Sequence, residues 1–171
     1  FTTDETIENL KMAISWSKNI DNFVAITSNK SEAQKYGIKN ILEFDNNIGG
    51  RYSIWSIISQ PTITGNEGEF FLFNKGGNLA DKNLLEDKKY IEFIKYLSFS
   101  DIYFNNYLNK NSRAVLSYNW RLRSLTDYIQ QLEMESLGKN PSKDSEFNKT
   151  GQIIFGGYGP IAQHSFFQLM H

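Results

Sequence analysis

Apolar residues at Ile7, Leu10, Ala13 and Ile14 recur at helical spacing behind Thr2-Thr3-Asp4-Glu5, in which Thr is followed three residues later by Glu. The spacing predicts a helix over Asp4 to Ser17, opened by a capping box. Phe23 to Thr27 and Asn40 to Phe44 are short continuous apolar runs, the pattern of strands buried on both faces of a parallel sheet. Ser31 to Tyr36 between them reads as a short helix closed by Gly37. Helix, strand, helix, strand in this order is the rhythm of an open α/β sheet.

The pattern then loosens. Ile54 to Ile58 is apolar and helix-like, Pro61 to Glu69 is turn-rich, and two short helices, Phe70 to Asn74 and Leu79 to Glu86, are expected either side of a break at Gly76-Gly77. Lys88 to Asn106 carries Ile91, Ile94 and Leu97 at helical spacing. Lys110 to Arg113 is a polar break, and Ala114 to Tyr118 restarts the α/β pattern with a buried strand. A long helix follows: at about 100° per residue, Leu122, Leu125, Ile129 and Leu132 fall on one stripe, with Gln131 and Glu135 one turn apart beside it. Tyr128 and Glu135 then sit at the margin of the buried face, and Gly138, free to turn left-handed, ends the helix with Lys139 near the negative end of its dipole. Asn140 to Lys149 is a polar loop, Gln152 to Phe155 a strand, Gly156-Gly157-Tyr158-Gly159-Pro160 a turn, and Ile161 to His171 a last helix.

Composition narrows the chemistry. With 171 residues, 40% of them apolar and 22% charged, the chain has the make-up of a globular protein with one sizeable core or parts of two domains. Eighteen basic and nineteen acidic residues leave a net charge of −1, so no global field draws it to nucleic acid or to an anionic membrane. The absence of cysteine removes disulfides and thiolate sites and fits a reducing, cytoplasmic setting. No apolar run reaches the roughly 20 residues that span a bilayer. With only two histidines, His164 and His171, and no His-x-x-x-His spacing, no metal site is expected. The chain opens on Phe1 without Met and stops on His171 inside an apolar helical run, which reads as a segment of something longer.

Two stretches hold the candidate chemistry. A carboxylate at position 135, partly desolvated yet reachable, suits a general base, although the same pattern also describes an ordinary amphipathic helix with solvated charges. After the second strand, Ile48-Gly49-Gly50-Arg51-Tyr52-Ser53 lies where α/β sheets bind ligands. Glycines there admit close backbone approach and Arg51 supplies a positive fork, or else the turn is merely tight and Arg51 pairs with a surface carboxylate. The Gly156 to Gly159 turn could present amides to an anion or be purely structural. One glutamate, one arginine, the histidines and the hydroxyls of Thr2 and Thr3 together suit proton transfer beside a carbonyl of a phosphorylated substrate.

Ile48-Gly49-Gly50-Arg51-Tyr52-Ser53 with Trp55-Ser56 resembles the first signature of the glucose-6-phosphate isomerase (phosphoglucose isomerase) family. Gln130-Gln131, Met134-Glu135-Ser136 and Gly138-Lys139 resemble its catalytic helix, Gln163 to His171 its histidine-bearing helix, and Phe1-Thr2-Thr3 with Glu5-Thr6 the end of its phosphate loop. The resemblance implies a three-layer α/β fold of sugar-isomerase (SIS) type with parallel sheets, here the end of one such domain (1–54), a helical connection (55–112) and the start of a second (113–171). It implies interconversion of glucose 6-phosphate and fructose 6-phosphate through a cis-enediol, in glycolysis and gluconeogenesis, without metal or cofactor. Glu135 would be the base, Arg51 the stabiliser of the intermediate, and His171 the ring-opening residue, donated across a homodimer interface. Gln131 and Gly50 would line the sugar site and Thr3 would touch the phosphate. Leu137, Ile57, Tyr158, Pro160 and Ile161 depart from the family's usual residues. A non-catalytic SIS-type sugar-phosphate-binding module is the alternative, and activity on mannose 6-phosphate as well is a third possibility.

Overall fold

The computed structural model describes residues 3–63 and 67–170. The chain divides between Leu79 and Ala80 into two compact units.

The first unit opens with α1 (Asp4–Ser17), within the bounds its apolar spacing predicts. Asp4 and Glu5 in its first turn complement the helix dipole. The capping residue is Thr3, whose hydroxyl meets that of Thr6 at 2.7 Å and caps no backbone amide; the Thr2 partner of the expected capping box lies outside the described residues. Strands β1 (Val24–Thr27) and β2 (Asn40–Glu43) pair in parallel, with Ala25 opposite Ile41. The short helix α2 (Lys30–Lys35) connects them. Asn29 caps it through the Glu32 amide (3.2 Å), and Gly37 leaves it at a φ of 82°. Ala25, Ala33 and Ile38 form the buried centre, flanked by Leu10, Ile20, Phe23 and Ile41.

The strands are not buried on both faces as their apolar runs suggest. Val24 is 57% and Leu42 42% exposed. Each belongs to a two-stranded sheet, and only the face turned to α1 and α2 finds apolar partners among the described residues.

Beyond β2 a 3-10 helix, Gly50–Trp55, begins at the Gly-Gly-Arg turn itself, four residues ahead of the expected apolar helix. Hydroxyl groups explain the tight winding: Ser53 donates to the Gly50 carbonyl and Ser56 to the Ser53 carbonyl, both at 2.7 Å. The stretch expected to be turn-rich contains α3 (Gln60–Ile63), with Pro61 in the first turn, where its missing N–H costs nothing.

Two helices with a break at Gly76-Gly77 were expected, and one helix is found: α4 (Glu67–Glu86) runs unbroken through both glycines. Each costs about 1 kcal/mol against alanine in a helix interior, too little to end 20 residues of helix. Gly77 has a packing reason. A Cβ there would lie 2.8 Å from the ring of Trp55, which stacks on Phe73 at a centroid distance of 4.2 Å.

In the second unit α5 (Lys88–Ile102) is capped by Asp87, which accepts from the amides of Lys89 and Tyr90. It widens into a π turn at Tyr103–Tyr107. Strands β3 (Ser112–Ser117) and β4 (Ile153–Tyr158) pair in parallel with Arg113 opposite Ile154 and Val115 opposite Gly156. Between them lie α6 (Leu125–Ile129), a second π segment (Gln130–Glu135) and a polar loop over 140–149 without helix or strand; α7 (Gly159–Met170) follows β4. The architecture is thus α/β with parallel strand pairs, as the sequence rhythm implies.

Gly156 and Gly157 belong to β4 and not to the turn after it. Their place in the ladder, opposite Val115 and Leu116, makes them strand residues and moves the start of the turn beyond them. Gly156 has a φ of 135°, and a Cβ there would lie 2.0 Å from the Val115 carbonyl oxygen. No helix among the described residues is long and apolar enough to cross a membrane.

Gly156→Ala should therefore destabilise the folded protein by more than about 3 kcal/mol, since both the backbone conformation and the clash with main chain act against it. Urea unfolding followed by circular dichroism checks this.

Candidate active site

The helix carrying Gln131 and Glu135 is not the single α-helix its apolar stripe predicts. Five residues of α6 give way at Gln130 to a π segment that lasts until Glu135. Such widened turns are rare and recur at functional sites. The reason lies in what the segment is tied to. Thr126, 1% exposed, donates its hydroxyl to the Val115 carbonyl at 2.9 Å. The Gln130 amide donates to the Ile154 carbonyl at 2.9 Å, and the Ile154 amide reaches the Met134 sulfur at 3.4 Å. Arg113 pairs through one guanidinium nitrogen with Asp101 at 2.5 Å and through the other with Glu133. Burial by itself would lower the pKa of Arg113, but the hydrogen bond to Asp101 and the charges of Glu133 and Asp101 outweigh it and raise the value, keeping the guanidinium protonated.

With Gln130, Glu133 and Met134 turned toward the strands, Gln131 and Glu135 face outward. The Gln131 amide donates to the Glu135 carboxylate at 3.3 Å. Glu135 is exposed, so the partial desolvation expected for it is not met: the inward positions of the π turn are taken by its neighbours. Leu125, Ile129 and Leu132 are half-buried as the stripe predicts, whereas Leu122 is 48% exposed because it lies in a separate 3-10 turn, Trp120–Leu122. Tyr128, 38% exposed, does sit at the margin.

Lys139 takes the expected position at the helix end, donating to the Glu135 carbonyl at 2.7 Å. Gly138 does not adopt the left-handed conformation expected of it. Its amide still bonds the Met134 carbonyl at 2.8 Å, and a Cβ there would sit 2.3 Å from that same oxygen. Glycine is demanded by close approach, not by handedness.

In the first unit Arg51 is half-buried in the first turn of the 3-10 helix, next to Gly50. Gly49 and Gly50 have negative or unstrained φ, and a Cβ on either would meet nothing within 4 Å. Neither the backbone nor the packing of the described residues requires glycine at these positions. Thr3 is exposed at the start of α1. His171 lies outside the described residues, and His164 is exposed on α7.

A cleft of about 460 Å³ in the second unit is lined by Asp101, Asn105, Glu133, Lys149 and neighbouring residues, and a second by Phe104, Arg113, Val115 and Gln152; Gln131 and Glu135 line neither. Sequence reasoning missed Arg113 and Thr126. The sequence pattern places Arg113 in a polar break, yet β3 begins at Ser112 and includes it. A charged residue directly before an apolar strand is the one available sign.

A family model described as phosphoglucose isomerase matches residues 1–171. The chain belongs to the phosphoglucose isomerase family. It is 37% identical over 186 residues to a glucose-6-phosphate isomerase of Kluyveromyces lactis and 36% identical over 188 residues to one of Wigglesworthia glossinidia brevipalpis. These alignments cover 100% of this chain and 33% and 34% of the relatives, so the chain spans about a third of the length of the curated relatives it matches. Among solved structures, a glucose-6-phosphate isomerase from Chlamydia trachomatis is similar with a TM-score of 0.78 and 28% identity over 96% of this chain and 33% of that one. A hypothetical protein from Thermus thermophilus shares the fold, with a TM-score of 0.79 and 23% identity over 98% of this chain and 41% of that one.

Thr126→Val should cost about 1 to 2 kcal/mol, because it removes the hydroxyl that buried Thr126 donates to the Val115 carbonyl while keeping side-chain volume. The shift in denaturant midpoint measures it.

Proposed function

We propose that this chain is an internal segment of an intramolecular aldose–ketose isomerase that interconverts glucose 6-phosphate and fructose 6-phosphate, in glycolysis and gluconeogenesis in the cytoplasm. Residues 1–54 are the end of one SIS-type domain and residues 113–171 the start of another, joined by the helical connection over 55–112. Glu135 removes the proton from C2 of the open-chain aldose. The electron pair forms the C1–C2 double bond and the C1 carbonyl oxygen becomes the enediolate anion, which the Arg51 guanidinium stabilises. A proton passes from the C2 hydroxyl to that oxygen. Glu135 then returns its proton to C1 as the carbonyl forms at C2, so no proton is gained or lost overall.

Gln131 orients the sugar beside Glu135, the Gly50 backbone lies against it, and Thr3 contributes a hydroxyl to the phosphate. His171, from the partner subunit of a homodimer, assists ring opening. No metal or cofactor takes part in these steps.

The observation that carries the reading is the outward-facing pair of Gln131 and Glu135, 3.3 Å apart on a π turn, within a chain matched to the family along its whole length. Gly49 and Gly50 add to it: where neither φ nor packing asks for glycine, close approach of a ligand to the backbone is the remaining physical reason.

In the full-length parent enzyme, Glu135→Gln should lower kcat on the order of 10³-fold with substrate binding retained, because the amide keeps the shape and loses the base. Isomerase assays with calorimetric titration of fructose 6-phosphate test this. Undiminished turnover would remove Glu135 from the mechanism, and binding without any turnover in the unaltered protein would leave a sugar-phosphate-binding module.

A further inference from the structure

We propose that Arg113 is a positioning residue for the reaction assigned to Gln131 and Glu135, holding residues 130–135 in their π register through Glu133. The proposal rests on the reading of Glu135 given above.

Three ties on the π segment converge on one rung of the β3–β4 ladder. Arg113 and Ile154 are directly opposite each other. The side chain of Arg113 grips Glu133, while the main chain of Ile154 receives the Gln130 amide and reaches the Met134 sulfur. Ile154 itself is 2% exposed, so this rung is anchored in the core of the unit. Positions 130, 133 and 134 are drawn in, and positions 131 and 135 are left facing out.

The three ties are unequal. A thioether sulfur is a weak acceptor, and a neutral amide-to-carbonyl bond contributes modestly. The guanidinium–carboxylate pair is charge-assisted and roughly twice as strong as a neutral bond. It is also directional, because Arg113 is held from the other side by Asp101 at the end of α5, which fixes the plane of the fork.

A π turn holds one more residue than an α turn and is the less stable form, so it persists only where something outside the helix maintains it. Release of Glu133 would let the segment relax to α geometry. Residues beyond it would then rotate against the strand side by about one residue step, roughly 100°; Glu135 would stay one helical turn from Gln131, but its carboxylate would no longer point where the π register directs it.

The test uses the full-length parent enzyme with Arg113→Gln, Arg113→Lys and Glu133→Gln. For Arg113→Gln, kcat should fall by at least about 100-fold, since a misplacement of only about an ångström already costs that much, with KM unchanged. Arg113→Lys should recover part of the loss, since it restores the charge without the fork. The double variant with Glu133→Gln should be no worse than Arg113→Gln, because both break one contact. Crystals of the Arg113→Gln enzyme should show residues 130–135 as α-helix. If Arg113→Gln does not fold, Glu133→Gln releases the same contact while Arg113 keeps Asp101, and carries the same expectations.

A π segment preserved in those crystals would overturn the proposal. So would a changed register with normal kcat, or a loss that appears equally in KM. A Glu135→Gln enzyme that retains turnover would instead overturn the reading of Glu135, and the crystallographic arm would still decide the register.

Discussion

The second unit depends on a single rung of a two-stranded parallel ladder. Arg113 and Ile154 face each other across it, one contributing a charged side chain and the other its main-chain carbonyl and amide. A strand that begins two residues later would leave Arg113 in a loop, and the helix facing it would lose its strongest tie. The widened turn, the inward placement of Glu133 and the outward placement of Glu135 all follow from where that strand starts.

A comparable constraint in the first unit is steric. Trp55, at the end of the 3-10 helix that starts in the Gly-Gly-Arg turn, stacks on Phe73 and rests against Gly77. The loop carrying Arg51 is thereby tied to a long helix by an aromatic contact that only a residue without a side chain can accept. Glycines in this chain divide by cause: Gly37 and Gly156 meet conformational demands, Gly77 and Gly138 yield space, and Gly49 and Gly50 answer to neither.

Family membership and local geometry carry different parts of the functional reading. The match along residues 1–171 supplies the reaction class as a proposal. The geometry supplies something the motif does not contain, namely the outward direction of Gln131 and Glu135, set where half-buried Gln130 and Glu133 are tied to the strands. The fixed dipoles and charges of the strand side set that orientation before any ligand arrives, as electrostatic preorganisation requires.

Helix and strand existence was legible from periodicity alone, most fully for α1 and for the β1–α2–β2 unit, because hydrophobic spacing reports which face must leave water. The candidate residues Glu135, Gln131, Gly50 and Arg51 were legible as motif blocks in order. What the sequence could not convey was how completely each apolar face is covered. Val24 and Leu42 express a demand for burial that a two-stranded sheet leaves unmet among the described residues. Nor could it convey the unbroken course of α4 or the π register of 130–135, since a glycine's cost and a turn's width are settled by what packs against them. Local pattern determines which elements form; contacts from distant positions such as Arg113 to Glu133 decide which way their side chains point.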